Sequence, residues 1–307
     1  MGAVRTTQRL LIDRVLSDLS LQQRRILTLQ EQLSTGQVVN RPSDDSLATR
    51  RAIDARAEIA KNEQYITNIS NLGPGLQGTE TALTTSVDVI QRARELTIQG
   101  ASGTNAQLQR DQIAIEVNQL LEALLVQGNQ QANGRYIFGG TVTQTEPFVA
   151  ARDANGEITG ITYAGNDETF SVEIQEGIQV AGNEPGSRVF TAAGVSGADI
   201  FQTLIDIRDN LRAGDLNGLE VRLDELSAAQ DQLLIATARV GATQNRVENV
   251  QSNLEDVNLQ LLDVVSDNID ADFAETIVEL NAQSNALQAS LDAAARVIQP
   301  SLLNFLS

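Results

Sequence analysis

Cysteine, histidine and tryptophan are absent from this 307-residue chain, lysine occurs once, at Lys61, and aromatic residues make up 3%. Without cysteine there is no disulfide, no thiol nucleophile and no thiolate metal site. Without histidine there is no imidazole base and no ordinary zinc or haem ligand. What chemistry remains is that of carboxylates, of serine beside Lys61, or of oxygen-bound calcium or magnesium. Lys61 lies in "EIAKNEQY", which reads as a solvated helix face. No catalytic residue, cofactor site or metal site is therefore expected, and the chain is read as a non-enzyme. A cysteine-free chain also suits an exported protein that must not crosslink in transit. Long apolar runs are lacking too: in "MGAVRTTQRLLIDRVL" the short run is cut by Asp13 and Arg14. That fits neither a signal peptide nor a membrane span, so any export is expected to use an uncleaved route.

So few aromatics imply a core that is aliphatic and thin, of helices packed along narrow stripes. A net charge of −18 leaves no basic stripe to replace phosphate counterions, and neither nucleic acid nor membrane is expected as a partner. The charge is unevenly spread. Residues 1–42 carry six arginines against three acids, net +3, whereas residues 263–307 carry seven acids against Arg296, net −6. Opposite signs at the two ends favour attraction between them, or between copies.

Apolar spacing is clearest near the C-terminus. Phe273, Ile277, Leu280, Ser284, Leu287, Leu291, Ala294 and Ile298 alternate steps of four and three, and Phe305 rejoins them beyond Pro300. This is a heptad seam that needs a partner helix. A second seam, Leu233 to Val264, is out of phase with it across "SDNIDAD", so residues 266–272 read as a joint that includes Asp270 and Asp272. Near the N-terminus Ile12, Leu16, Leu19, Gln23, Ile26, Gln30 and Leu33 repeat in the same way. Gly36 then stops a helix, Pro42 cannot continue one, and Ser43 before Asp44 and Asp45 reads as a capped new start. Asp267, Asp270 and Asp272 read as a hydrated joint, since no oxygen-ligand loop has their spacing.

Between the ends, helix is expected from about 43 to 70, broken at "NLGPGLQGT", then resumed through residue 101 and again over "AQLQRDQIAIEVNQLLEALLVQGNQQA". Over residues 136–192 the period drops to two, with Val, Ile, Thr, Phe and Tyr between Gly, Asn and Pro, and Asn155–Gly156 signals a hairpin. Helix returns at "GADIFQTLIDIRDNLRAG". The fold class is mainly α with a small all-β insertion, an elongated helical rod with terminal coiled-coil segments. Its expected parts are a terminal core domain (1–42 and 266–307), a helical body (43–135 and 193–265) and a small β-rich outer domain (136–192).

Several of these stretches, taken in order, resemble the flagellin-like axial proteins of bacterial flagella. "LQEQLSTGQVVNRPSDD" is similar to the family's N-terminal signature, and "RELTIQGASGTN" followed by "IAIEVNQLLEAL" to its next helical pair. "VGATQNRVENVQSNLEDVN", "DADFAE" and "LQASLDAAARVIQPSLLNFL" resemble the C-terminal body, joint and terminal helix. "NGRYIFGGTVTQTEPF" resembles hook–filament junction members more than flagellins, whereas "LGPGL" at 72–76 departs from a stretch that the family more often runs smoothly.

The resemblance implies a secreted structural subunit at the hook–filament junction of the extracellular flagellum. It would be exported unfolded and self-assemble with identical subunits, joining hook-associated protein 1 on the hook side to flagellin, with an export chaperone covering the C-terminal seam beforehand. The implied assembly seam comprises Ile12, Leu16, Leu19, Ile26, Leu33, Phe273, Ile277, Leu280, Leu287, Leu291, Ile298 and Phe305. Its joints are Gly36, Pro42, Ser43, Asp270 and Asp272. A flagellin forming the filament itself, or a soluble helical binding or chaperone module, are the other readings. An enzyme on the same scaffold would need a catalytic constellation in 136–192, which holds no His, Cys or Lys.

Overall fold

The computed structural model describes all residues except Met1, Thr104, 192–196 and Ser307, and all side chains except those and the ones of residues 2–9, 11 and 296–306. Its elements are α1 (Gly2–Thr35), α2 (Ser46–Ala101), α3 (Gln107–Gly128), β1 (Gln131–Ala132), β2 (Arg135–Tyr136), β3 (Phe148–Arg152), β4 (Ile158–Tyr163), β5 (Ser171–Gln175), β6 (Ile178–Ala181), α4 (Gly186–Phe190), α5 (Ile200–Ala213), α6 (Leu216–Ile269) and α7 (Phe273–Leu306). The fold is thus mainly α with three small antiparallel hairpins, β1–β2, β3–β4 and β5–β6. Two compact units result, one of residues 1–61 and 256–307, the other of residues 62–255. The division falls inward of residues 42 and 266, and the hairpins share the second unit with helices.

In the second unit α3 packs on α5, and α5 on β4. Apolar positions Ile113, Ala114, Val117, Leu121, Leu124 and Leu125 of α3 are buried, as are Phe201, Leu204, Ile205, Ile207 and Leu211 of α5, each set forming one helical stripe. Asp199 caps α5 by accepting from the Gln202 backbone, and Gly214 ends it in the left-handed conformation. The few aromatics are pooled rather than spread. Phe138, Phe148, Phe190 and Phe201 are fully buried, with ring centroids 5.0–5.5 Å apart in the contacts among them. The core is therefore aromatic at its centre, not purely aliphatic. Gly128 permits this, because a Cβ there would stand 2.8 Å from the Phe148 ring.

Buried Arg208 fastens the β3–β4 hairpin to α5. It donates to the Ile158 carbonyl at 2.6 Å and to Asn118 at 3.0 Å, and pairs with Asp209 at 2.8 Å. Asp153 shapes the turn of that hairpin by accepting from the Asn155 and Glu157 backbones. The Asn155–Gly156 signal thus marks a real hairpin. A tighter one precedes it at Asn133–Gly134, both residues with positive φ (51° and 73°), which brings strand in at Gln131 rather than at 136.

The expected break at "NLGPGLQGT" does not occur: α2 runs through it with Pro74 inside the helix. Ile69, Leu72, Leu76 and Thr79 are buried on one face, and their packing outweighs a proline penalty of about 3 kcal/mol.

A candidate assembly surface and its joint

Within the first unit α1 packs on α7. The Gln22 amide donates to the Ser290 hydroxyl at 3.2 Å, and the Phe273 ring lies over Gly36, 3.6 Å from where a Cβ would stand. Rising numbers in α1 thus meet falling numbers in α7, and the pair is antiparallel. Helical phase shows which residues make the seam. On α1 the inward positions are Ile12, Val15, Leu19, Gln22, Ile26, Leu29 and Leu33, and on α7 they are Thr276, Leu280, Gln283, Leu287, Ser290 and Ala294. Both sets alternate steps of three and four.

Ile12, Leu19, Ile26, Leu33, Leu280 and Leu287 of the sequence-derived set belong to this in-chain seam, half-buried. Leu16, Phe273, Ile277 and Leu291 do not. They are exposed, Leu16 at 55% and Phe273 at 52%. The side chains of Ile298 and Phe305 lie outside the described residues. Gln23 and Gln30, expected in the seam, face outward, and Gln22 takes the polar layer instead. Spacing alone had set the phase, and the close pair shifts it by one residue at alternate steps, to Val15, Gln22, Leu29 and Thr276.

What the pair leaves uncovered is ordered. Leu16 and Leu27 are 11 residues apart, as are Leu10 and Leu21, and all four are exposed. Eleven residues make about three turns, so each couple forms a line, one on either flank of the α1 seam. Phe273, Ile277 and Leu291 form a similar exposed edge beside the α7 seam. The seam itself is thin: among its apolar residues only Leu29 and Ala294 are buried, at 8% and 7% exposure, and the buried Gln22 Oε1 has no hydrogen-bond partner.

The two joints meet. The Val38 amide donates to the Ile269 carbonyl at 2.7 Å and the Ala271 amide to the Gly36 carbonyl at 2.9 Å, with Gln37 and Asp270 bridged between them. Gly36 turns the chain here at φ +72°, a conformation that glycine adopts at little cost. Asp272 caps α7 through the Ala274 and Glu275 amides at 2.8 and 3.1 Å. On the other arm the cap of α2 is Asp45, accepting from Leu47 and Ala48 at 2.9 Å each, and not Ser43. Pro42 and Ser43 stand in a turn in which the Asp44 amide donates to Arg41 and the Asp44 carboxylate accepts from the Arg41 amide, so helix begins only after Asp45.

The C-terminal joint is also shorter than residues 266–272, because α6 continues to Ile269. Its phase slip lies earlier: Val250 and Leu254 are buried, after which the inward positions become Asn258, Leu261, Val265 and Ile269 while Val257 and Val264 are exposed. Four-residue steps in succession shift the stripe in this way. Among the described residues no three acidic side chains gather as a metal-binding group, and no helix is long and apolar enough to cross a membrane.

Residues 13–143 match the family described as the bacterial flagellin N-terminal helical region. Over that stretch the chain is similar to the flagellin-like axial proteins of the bacterial flagellum. Two relatives similar over most of its length carry a more particular name. Flagellar hook-associated protein 3 of Escherichia coli (strain K12) is 26% identical over 284 residues, covering 86% of this chain and 87% of that protein. The protein of the same name from Salmonella typhimurium (strain LT2) is 24% identical over 308 residues, covering 94% and 95%. Among solved structures, Bacillus cereus FlgL aligns with a TM-score of 0.58 at 23% identity, over 69% of this chain and 99% of that one.

Proposed function

We propose that this chain is a structural, non-catalytic subunit at the hook–filament junction, linking hook-associated protein 1 on the hook side to flagellin. The observation that carries the reading is the α1–α7 pair with exposed apolar edges on both flanks of its seam. Such edges are liabilities on a lone molecule and become contacts when neighbours cover them. Two different flanks suit head-to-tail, non-closing packing, in which each subunit offers one surface and receives on another. The similarity to proteins named hook-associated protein 3 supports a junction role over one along the filament.

In this account the subunit leaves the cell unfolded, assembles with identical copies in the extracellular flagellum, and is escorted before export by a chaperone that shields the α7 edge. Of the seam residues named from sequence, the exposed Leu16, Phe273, Ile277 and Leu291 are the proposed contacts with neighbouring copies, the others hold α1 to α7 or lie outside the described side chains, and Gly36, Pro42, Ser43, Asp270 and Asp272 are the proposed hinge set. Deleting the gene tests the junction assignment. Hooks without attached filaments, with flagellin lost to the medium, are expected; normal filaments would contradict it. Loss of the filament with no flagellin in the medium would favour a filament subunit instead.

A further inference from the structure

We propose that a cavity in the second unit, between α2 and the β hairpins, binds a small carboxylated saccharide of the uronic acid class. Its volume is about 580 Å³, within the roughly 300–1,000 Å³ usual for small-molecule sites. No aspartate or glutamate lines it, although the chain carries 40 acids among 307 residues. The cation at its wall is Arg135, and among the described residues no carboxylate pairs with it. A guanidinium kept clear of acids in so acidic a chain is a ready partner for an incoming carboxylate, which it can hold through two parallel hydrogen bonds.

The rest of the lining suits a sugar ring. Asn71 and Asn133 contribute amides, each able to donate and accept. The Tyr136 and Phe170 rings supply apolar faces for the C–H side of a pyranose, and Phe170 is 41% exposed. The frame is fixed in advance. The Asn68 amide donates to the Glu173 carbonyl at 3.0 Å, tying α2 to β5. Asn183 accepts from the Phe170 amide at 3.0 Å and donates to the Glu168 carbonyl at 3.1 Å. Gly75, in the "LGPGL" stretch that sets this chain apart, leaves the α2 wall bare, since a Cβ there would meet nothing within 4 Å.

The test is a titration of the ¹⁵N-labelled full chain with glucuronate, glucose and acetate in parallel, read at the amides of Gly75, Asn133 and Arg135. Glucuronate is expected to give saturable shifts, and glucose and acetate at the same concentrations only small linear ones. Arg135→Gln should weaken glucuronate binding by roughly tenfold or more, the loss expected for a charge-assisted hydrogen bond. Gly75→Leu places a side chain in the space while improving helix propensity; it should abolish the shifts and leave the remaining spectrum in place. Saturation by acetate alone, an equal response to glucose and glucuronate, or shifts that persist in Gly75→Leu would overturn the proposal.

Discussion

Gly36 holds the turn after α1 through two properties of glycine: a positive φ and the bare face that the Phe273 ring covers. Gly36→Ala leaves room for the methyl but strains the backbone by about 1 kcal/mol. The Val38 and Ala271 amides, which close the two arms, should then exchange hydrogen roughly fivefold faster, and unchanged exchange would contradict the role. A second residue-scale prediction concerns acid. The Glu157 carboxyl is held below the usual carboxylate range, chiefly by hydrogen bonds from Arg212; desolvation opposes them, and the Arg212 charge adds a lesser lowering. The two bonds are 2.6 Å each. Its contribution is present above the ordinary glutamate pKa and lost as the pH falls through the lowered one. Arg212→Gln should cost at most about 1 kcal/mol near neutral pH, since the pair is partly exposed, and the gap in denaturation midpoint should close on acidification. Glu184 and Asp199 act with the opposite sign, because burial raises both, but both proteins share them and the comparison cancels their effect. A gap that widened in acid would refute the pairing.

At the scale of elements, α2 shows packing prevailing over local preference. Gly73 and Pro74 are poor helix residues, and the sequence around them reads as a break. Yet Leu72 and Leu76 are buried on either side, and that burial is a tertiary fact no local pattern displays. Gly73 has open space around its Cβ direction, so Gly73→Ala should stabilise the second unit by about 0.5–1 kcal/mol, read as a higher urea midpoint at unchanged slope. Destabilisation would mean that the glycine serves a contact.

The seam of α1 and α7 was legible in period but not in phase. Steps of three and four are visible in the residue types, and Leu19, Ile26, Leu280 and Leu287 follow from them. Choosing between Leu16 and Val15, or Ile277 and Thr276, depends on how closely the helices approach. The hinge was half legible: Gly36 and Asp272 are local signals, whereas the bridge between Gln37 and Asp270 joins positions far apart in sequence. The aromatic cluster was hidden because its four phenylalanines come from separate elements.

At the scale of the molecule, the two units differ in how they are held. The second is built on fully buried Phe138, Phe148, Phe190 and Phe201, whereas the α1–α7 pair relies on a thin seam with a polar layer at Gln22 and Ser290. The opposite charges of the two ends form no ion pair between α1 and α7 among the described residues, so their attraction acts at longer range and weakens with salt. Under the proposed function, opening the pair is expected to cost little in the lone chain and more once neighbouring copies cover its edges. Hydrogen exchange across the isolated chain in dilute buffer tests this most directly. Amides of residues 10–42 and 266–295 should exchange rapidly while those of α3 and α5 stay protected; slow exchange at both ends would show a seam already closed in the lone subunit and would contradict ordering by assembly.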